Sequence, residues 1–512
     1  MSDGPALSRW RWIDGALLVF VLLTAGAIRI AFAGTPPSMD ELWHLALSTG
    51  RGSPMSAAGQ VVLTTTAIDV TSLEGAPPIY AVWTHMAGVL HPPLYVQALR
   101  LWRDVVGPGD VAAQMFSVAW YLVALGFGFA AIRLCFDRIV ATLSMLLLAV
   151  APVQIYLALE VRGYAMMIAL TSIALWLMAR CEVLGPTRRR ALVLGLMPLP
   201  LMLTHYFAFG VCLAIGLYAL IRFRGRLLAW SIGAMALSAI LYAIVWLPFS
   251  LDQLHDIGSG DEFAKAPGLT FWERSLGQAL AGPYMLLIDR EFMRQPLMML
   301  TMVVYWLPII LRRRAPRLLP WWLVGTCVMG TLLLLDATRG TAHLQFARYP
   351  SAASVALPPL LVLCIAAFRP RAAWAVGGAL VIAVACFMRD PIRYDSPEFV
   401  AITWPVSARL KPGEPIIAVN HGEPKWFADA MLLHILHERG VEPRTTLKLP
   451  HPATRDELVQ LRGATKDYGT AWLISGTPKL SVTDAMPEGT TVLESIQDAH
   501  FGTAYRIALP RD

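Results

Sequence analysis

The chain has 512 residues and a mean hydropathy of +0.55, with 56% hydrophobic but only 15% charged residues. A soluble domain carries about 25% charged residues, and here the deficit is concentrated in long apolar runs. The composition therefore excludes an ordinary soluble protein and indicates a membrane protein in a lipid bilayer. The net charge of +7 comes from short arginine clusters between apolar runs, and no nucleic-acid-reading motif is present, so no nucleic-acid partner is expected.

The first apolar run, residues 12–32, is long enough to cross a bilayer. Arg9 and Arg11 precede it and an Ala-Phe-Ala tripeptide ends it, which also resembles a signal peptide with a cleavage site. Because Arg29 interrupts the cleavage region, we favour an uncleaved first helix. On either interpretation the next segment lies outside the cytoplasm.

The apolar runs predict a polytopic α-helical membrane protein with about eleven transmembrane helices. The stretch from Ala191 to Ile221 is read as a helical hairpin, because Pro198 and Pro200 interrupt it and a polar break follows at Thr204. The predicted spans are 12–32, 111–132, 139–157, 162–180, 190–204, 206–221, 227–249, 297–311, 320–335, 351–368 and 372–388.

The positions of the arginine clusters set the orientation. With the N-terminus cytoplasmic, each compact cluster falls on the cytoplasmic side, as the positive-inside rule requires. An odd number of spans then places the C-terminus outside. The outer segments are a first loop at 33–110 with two short interfacial helices, a loop at 251–296, and the tail.

The tail, residues 390–512, loses the membrane composition. Pro415–Val419 and Ala471–Ile474 are predicted to be buried strands, and Trp426–Glu438 a helix that ends at Gly440. We therefore divide the chain into a membrane module at 1–389 and a soluble α/β domain at 390–512, outside the membrane.

An acidic pair, Asp40-Glu41, directly follows the first span. A carboxylate at the membrane edge can act as a general base toward a hydroxyl. Alternatively, the pair caps the N-terminus of a short interfacial helix, where acidic residues are favoured.

Two further polar groups lie at outer helix ends. Glu160 and Arg162, followed by Tyr164, could form an ion pair that closes the turn between two spans, or could contact sugar hydroxyls. His205-Tyr206 at the hairpin tip could be structural or functional, since a single histidine in an apolar setting is more often a satisfied structural residue.

Arg348-Tyr349 precedes the tenth span, on the side where the charge rule disfavours arginine. A guanidinium there could bind a phosphate through two hydrogen bonds, or it could meet a lipid headgroup or an internal carboxylate. His91, in the segment His91-Pro92-Pro93-Leu94-Tyr95, is a further candidate; its alternative is a proline-started interfacial helix. All these groups lie on the outer side, where they could converge on one cavity.

In this order the motifs resemble those of the GT-C glycosyltransferases, in particular the bacterial branch related to protein O-mannosyltransferases and to the lipid A aminoarabinose transferase. That family has an Asp-Glu pair opening the first periplasmic loop, a later Pro-Leu-Tyr segment, a Glu-x-Arg-x-Tyr turn, a His-Tyr-Phe tip and a late Arg-Tyr. The matches, in chain order, are Asp40-Glu41, Pro93-Leu94-Tyr95, Glu160 with Arg162 and Tyr164, His205-Tyr206-Phe207, and Arg348-Tyr349. The resemblance covers about residues 12–390.

The resemblance implies an inverting glycosyltransferase in a bacterial inner membrane, which moves a hexose or pentose from a polyprenyl-phosphate-linked donor to an acceptor hydroxyl on the outer face. Asp40 would be the general base and Arg348 would hold the phosphate of the leaving group. No metal is expected to be required, although some relatives use a divalent metal and this chain could bind one. The residues that would orient sugar, phosphate or acceptor are Glu41, His91, Tyr95, Glu160, Arg162, Tyr164, His205, Tyr206 and Tyr349.

Two other functions fit parts of the sequence. A transporter or flippase for a lipid-linked glycan would explain the many spans, but it predicts charged groups near mid-helix and an internal repeat. A non-catalytic envelope scaffold, with the tail as a binding module, predicts that Asp40 can be replaced without loss of activity. Neither the donor sugar nor the acceptor, which could be a glycan, a lipid or a protein, follows from the sequence.

Overall fold

The computed structural model describes residues 10–52, 63–64, 71–86, 91–251, 285–288, 316–339, 341, 343–368, 373–386, 400–411, 414–420, 434, 446–450, 468–475, 486, 489–498 and 502–508. The chain forms two compact units. The first comprises Met1–Ala33, Ala87–Ala98 and Gln114–Arg393, and the second comprises Gly34–Met86, Leu99–Ala113 and Tyr394–Asp512. Most of the predicted first loop therefore belongs to the same unit as the tail.

Most of the described chain is helical. The helices are α1 (Trp12–Phe32), α2 (Met39–Ser48), α3 (Ala81–Thr84), α4 (Pro93–Val106), α5 (Asp110–Cys135), α6 (Arg138–Val150), α7 (Pro152–Leu159), α8 (Tyr164–Leu184), α9 (Arg188–Leu196), α10 (Pro198–Thr204), α11 (Phe209–Arg222), α12 (Gly225–Val245), α13 (Leu319–Arg339), α14 (Leu357–Phe368), α15 (Ala373–Cys386) and α16 (Val400–Arg409). Short 3-10 turns cover Pro316–Leu318, Tyr206–Ala208, His343–Gln345 and Tyr349–Ala353.

The length and composition of these helices identify a multi-pass membrane protein. Within the described ranges, α1, α5, α8, α12 and α13 are each long and apolar enough to cross a membrane, and α6 with α7 passes the same test as a bent pair. The predicted span at 297–311 and most of the predicted loop at 251–296 lie outside the described residues. Each of the other predicted spans overlaps described helical residues, but those at 190–204, 206–221, 351–368 and 372–388 correspond to helices shorter than a full span.

The predicted span at 139–157 is not one straight helix. It is broken between α6 and α7, which meet at 68°. Ala151 is extended at φ −65° and ψ 124°, and Pro152 starts α7. The reason is local, since proline lacks the backbone N–H and disfavours the helical conformation in the residue before it.

Arg29 of α1 fills this break. Its buried guanidinium donates to the carbonyl oxygens of Ala149 at 2.7 Å and Gln154 at 3.2 Å, and its central carbon lies 4.4 Å from the centre of the Tyr121 ring. Backbone carbonyls that a helix break leaves without intrahelical partners are costly in an apolar interior. Arg29 is thus bound by protein groups at the point where the helix is interrupted.

The tail forms most of a six-stranded sheet in the order β1-β3-β2-β4-β6-β5. Its strands are β1 (Leu63–Thr64), β2 (Ile416–Asn420), β3 (Thr446–Pro450), β4 (Thr470–Ser475), β5 (Thr491–Asp498) and β6 (Gly502–Ala508). The central strand β2 pairs in parallel with β3 and β4, whereas β6 is antiparallel to β4 and β5.

Both predicted strands are confirmed by β2 and β4. The sequence did not predict that the first loop contributes an edge strand: Leu63 of β1 pairs with Leu447 of β3. The predicted helix Trp426–Glu438 lies outside the described residues except for His434, which is helical.

Candidate active site

The turn between α7 and α8 holds the first predicted group. Glu160 ends α7, and its carboxylate pairs with the Arg162 guanidinium at 3.0 Å, with both side chains buried. The central guanidinium carbon lies 4.9 Å from the centre of the Tyr164 ring, in the first residue of α8. The predicted ion pair is confirmed, and the arginine also lies against an aromatic face.

Gly163 allows this turn to approach the end of α10. A Cβ atom at position 163 would lie 3.0 Å from the Thr204 carbonyl oxygen and 3.6 Å from the Cβ of Tyr95. A side chain there would push the turn away from Thr204, the residue before His205. The glycine thus helps to hold Tyr164 near His205.

His205 lies between α10 and the turn Tyr206–Ala208, in extended conformation. Its ring centre lies 5.0 Å from that of Tyr164 and 5.3 Å from that of Phe207, on which it stacks. Its Nδ1 accepts the backbone N–H of Phe207 at 3.2 Å. A neutral His205 therefore carries its ring proton on Nε2.

Phe207 connects this group to the segment before α14. Its ring centre lies 4.7 Å from that of Tyr349 and 5.4 Å from that of His343. The centres of the Tyr349 and His343 rings are 5.2 Å apart. The guanidinium carbon of Arg348 lies 5.3 Å from the Tyr349 ring. We call the set Arg162, Tyr164, His205, Phe207, His343, Arg348 and Tyr349 the ring cluster.

His343 is held by a buried carboxylate. The carboxylate of Asp336, in the last turn of α13, accepts the His343 Nδ1–H at 2.8 Å. It also accepts the backbone N–H groups of His343 at 2.9 Å and Leu344 at 3.0 Å, and the Thr341 hydroxyl at 2.8 Å. Because an ionised carboxylate only accepts, Nδ1 is the protonated nitrogen of a neutral His343.

Three other predicted residues lie close to this group. The His91 ring centre is 6.1 Å from that of His205. The Tyr95 hydroxyl is hydrogen-bonded to Ser117 at 2.8 Å, and the Tyr206 hydroxyl accepts the indole N–H of Trp246 at 2.9 Å. The structure therefore places His91 beside the ring cluster and binds the Tyr95 and Tyr206 hydroxyls to protein groups.

Two buried hydroxyls in this region are unsatisfied. Tyr164 Oη and Ser351 Oγ belong to fully buried residues and have no hydrogen-bond partner within the described part of the chain. The turn that contains Ser351 packs against α8, which begins with Tyr164. A buried hydroxyl without a partner costs about 1–3 kcal/mol, so each is an available contact for a polar ligand or a water.

The predicted acidic pair lies in the second unit, in the first turn of α2. The Glu41 carboxylate accepts the Ser38 backbone N–H at 2.7 Å, and the Ser38 hydroxyl accepts the Glu41 N–H at 3.4 Å. This is a capping box, the alternative role considered for the pair. The half-buried Asp40 is not part of the box, and its backbone carbonyl contacts Nδ1 of His44 at 2.7 Å.

Two arginines of α4 hold the other end of α2. Arg103 donates to the Leu45 carbonyl at 3.0 Å and to the Ser48 hydroxyl at 2.6 Å, and Arg100 donates to the Thr49 carbonyl at 2.7 Å. Both arginines are buried. Cations at a helix C-terminus satisfy its last carbonyls and favour its dipole. The helix that carries Asp40 is thus fixed at both ends within its own unit.

Several of these residues were missed by the sequence reasoning. Asp336 carried a signal, because it is a carboxylate at the end of an apolar run. No local signal in the sequence pointed to Arg100 and Arg103, because the carbonyls that they bind lie 51 and 58 residues earlier in the chain. In the described part of the chain, no three His, Cys, Asp or Glu side chains are grouped as a metal ion requires.

The fold is similar to that of solved membrane proteins. The structure of ArnT from Cupriavidus metallidurans in the apo state matches with a TM-score of 0.53 at 12% identity, over 96% of this chain and 98% of that one. The same protein bound to undecaprenyl phosphate matches with a TM-score of 0.51 at 15% identity, over 97% and 98%. No protein-family model matches the chain, and no curated protein matches it.

ArnT is a member of the GT-C superfamily. The resemblance inferred from the short motifs is therefore confirmed at the level of the fold: this chain has the GT-C fold, over nearly its whole length.

Proposed function

We propose that this protein is an inverting glycosyltransferase, which transfers a hexose or pentose from a polyprenyl-phosphate donor to an acceptor hydroxyl at the outer face of a bacterial inner membrane. The observation that carries the proposal is the ring cluster, in which the guanidinium groups of Arg162 and Arg348 lie against aromatic rings. The GT-C fold supports it, because the matching ArnT has been solved with undecaprenyl phosphate bound.

Arg348 is proposed to bind the phosphate of the donor. A guanidinium makes paired hydrogen bonds to phosphate oxygens and stays charged, so it can stabilise the negative charge that grows on the leaving group. The unsatisfied hydroxyls of Tyr164 and Ser351 supply neutral donors in the same unit. No metal is needed for this step.

Asp40 is proposed to be the general base. It would take the proton of the acceptor hydroxyl, whose oxygen attacks the anomeric carbon while the bond from that carbon to the phosphate oxygen breaks. The proton ends on Asp40 and the electron pair on polyprenyl phosphate, with inversion at carbon. The first turn of α2 suits an ionised carboxylate, because the helix N-terminus favours negative charge.

The remaining predicted residues are proposed to orient the substrates. The Glu160–Arg162 pair and His205 present polar atoms beside aromatic faces, an arrangement suited to a sugar or a phosphate. The other residues assigned to this role are Glu41, His91, Tyr95, Tyr164, Tyr206 and Tyr349.

One observation favours transport instead. Broken helices bind substrates and ions in many transporters, and α6–α7 is such a break. Here, however, the break is occupied by Arg29, whose guanidinium donates to carbonyls on both sides of it. We therefore keep glycosyl transfer as the proposed function and transport as its alternative.

The test is release of polyprenyl phosphate by the protein purified in detergent. Short-chain polyprenyl-phosphate sugars are offered with candidate acceptor hydroxyls, and wild type is compared with Asp40→Asn. Glu494→Gln is the control, because Glu494 is a partly exposed carboxylate of the same unit that lies on β5 and pairs with Arg409. Release that Asp40→Asn loses and Glu494→Gln keeps supports the proposal.

Equal release by wild type and Asp40→Asn would remove Asp40 as the base while leaving transfer in place. If no donor and acceptor pair gives release, but vesicles containing the protein move the lipid-linked sugar across the bilayer, transport replaces transfer.

A further inference from the structure

A buried histidine of the tail is hydrogen-bonded to two other parts of the second unit. Its Nδ1 lies 2.9 Å from the Thr71 hydroxyl, and its Nε2 lies 2.9 Å and 3.0 Å from the two carboxylate oxygens of Asp110. This residue is His434, and Thr71 is buried with it. We call these hydrogen bonds the tail clasp, because they join the tail to the first loop and to the start of α5.

The direction of each hydrogen bond in the tail clasp follows from its chemical groups. An ionised carboxylate only accepts, so Nε2–H of His434 donates to Asp110, and in the neutral ring Nδ1 accepts the Thr71 O–H. Valine at position 71 would remove this hydroxyl and keep the branched shape of the side chain. Serine would keep the hydroxyl, so the two substitutions separate the hydrogen bond from the packing.

Thr71 also connects the tail clasp to Arg103. Its carbonyl accepts from one terminal nitrogen of the guanidinium at 2.7 Å. The other terminal nitrogen donates to the Leu45 carbonyl at 3.0 Å and to the Ser48 hydroxyl at 2.6 Å, both in the last turn of α2. An unbroken series of hydrogen bonds therefore leads from the tail to α2, and all its members belong to the second unit.

The tail holds the first loop at a second point. Leu63 of β1 pairs with Leu447 of β3, a strand of the tail. Because Leu63 and Thr71 are close in sequence, two attachments leave the segment between them less conformational freedom than either one alone. The position of the Thr71 carbonyl, and with it that of Arg103, thus depends on the tail.

Asp40 lies at the opposite end of α2 from these contacts. The helix has ten residues and is about 15 Å long, so a tilt of about 4° about its last turn moves its first turn by about 1 Å. A general base must lie within hydrogen-bond reach of the proton that it takes, and a displacement of this size slows the reaction. The tilt of α2 therefore matters for the chemistry proposed for Asp40.

We propose that Thr71 and His434 are positioning residues for Asp40, and that the tail clasp fixes the tilt of α2 through Arg103. The proposal rests on the proposed function, in which Asp40 is the general base, and it gives the tail a part in transfer. Arg348, the proposed phosphate ligand, belongs to the first unit. Loss of the tail clasp should therefore slow the transfer step and leave donor binding unchanged.

The test is single-turnover release of polyprenyl phosphate by the full-length protein in detergent. The concentration of a short-chain donor is varied at saturating acceptor, which separates the maximal rate from donor affinity. Wild type is compared with Thr71→Val and Thr71→Ser. Thr470→Val is the matched control, because the Thr470 hydroxyl on β4 also contacts a tail side chain, Glu414 at 2.7 Å, but both residues belong to the tail.

Thr71→Val is expected to lower the maximal rate about tenfold and to leave the donor concentration for half-maximal rate unchanged. Thr71→Ser should restore the rate, and Thr470→Val should keep it. Hydrogen exchange of the α2 amides, followed by mass spectrometry, should be faster in Thr71→Val than in the other proteins.

Two outcomes overturn the inference and leave the proposed function standing: a wild-type rate in Thr71→Val, or an equal loss of rate in Thr470→Val, which would indicate a general effect of tail stability. No release by wild type, or equal release by wild type and Asp40→Asn, removes the base assignment and this inference together. If Thr71→Val does not fold, Asp110→Asn decides, because it keeps the side-chain shape and removes the charge to which Nε2–H donates. Its maximal rate should fall in the same direction, and an unchanged rate contradicts the inference.

Discussion

Helix α2 and the ring cluster hold their polar side chains in different ways. In α2 the fixed groups are backbone atoms: a capping box at Ser38 and Glu41 closes the first turn, and Arg100 and Arg103 bind the last carbonyls. In the ring cluster the contacts join side chains, through ring faces and guanidinium groups. The first arrangement fixes the direction of a helix, whereas the second places buried polar groups against ring faces, where we propose that the donor binds. We therefore expect variants of the α2 supports to lower the stability of that helix, and variants of the ring cluster to weaken donor binding.

Arg348→Gln should have the largest effect. Removing a preorganised charge that stabilises a developing anion lowers the rate of transfer by about 10²–10³-fold. Thermal unfolding is the accompanying measurement, and we expect it to change less than the rate. The measurement is polyprenyl phosphate release under single-turnover conditions. Arg339→Gln, at an exposed arginine in the last turn of α13, is the control and should keep its rate; an equal loss there would indicate a general effect of charge.

Arg103→Met should mainly affect stability. The buried guanidinium donates to Leu45, Ser48, Thr71 and Pro108, and methionine leaves these acceptors without it. The free energy of unfolding should fall by about 3 kcal/mol, as expected when buried carbonyls lose their donors. Hydrogen exchange of the α2 amides, followed by mass spectrometry, would show whether the loss is local.

Arg51→Met is the matched control for Arg103→Met. Arg51 also donates to loop carbonyls, those of Ser72 and Glu74, but on the surface. Water can replace its hydrogen bonds, so faster exchange in α2 is expected for Arg103→Met only. Equal exchange in both variants would contradict a role for Arg103 in holding α2.

Ser38→Ala tests the other end of α2, with a smaller effect. Loss of an N-cap hydroxyl costs about 1 kcal/mol, and Ser38→Asp should restore most of it, because aspartate is an equally good cap. Exchange of the Glu41 amide, which donates to Ser38, should become faster in Ser38→Ala. Ser72→Ala removes a comparable hydroxyl in an exposed loop and should leave α2 unchanged.

The sequence predicted local features better than it predicted how they assemble. The sequence predicted the bounds of α1 and offered the Glu160–Arg162 pair as one of two alternatives. The predicted span 162–180 overlaps α8 without matching its bounds. The break at Pro152 was signalled by proline but was not predicted. That Arg29 fills it could not be inferred, because its acceptors lie more than a hundred residues away.

The same limit applies to the site. The His205-Tyr206-Phe207 motif lies in a turn whose Phe207 connects His205 to Tyr349. Pairing across more than 130 residues is a property of helix packing, which no local pattern encodes. Asp336 and His343 are seven residues apart, so a search for carboxylates at the ends of apolar runs would have found that pair.

Acid should weaken the sheet of the second unit through one buried group, Glu414. Burial opposes its charge, but the Arg506 guanidinium at 2.8 Å, the Thr470 hydroxyl at 2.7 Å and the Lys411 N–H hold the pKa of the carboxyl below its ordinary value of 4.5. A carboxyl with a lowered pKa stabilises the fold at pH above its unfolded value, and the contribution is lost as the pH falls through the folded value. The protection factors of amides in β4 and β6, corrected for the intrinsic effect of pH on exchange, should therefore fall below about pH 4.5 in wild type. Glu414→Gln should show weaker protection of these amides at neutral pH, by about 1 kcal/mol, and less dependence of that protection on pH.

Glu494→Gln, which alters a partly exposed pair with Arg409, is the control that should keep the wild-type dependence. If acid exposes β4 equally in Glu414→Gln and in wild type, Glu414 does not link the strands.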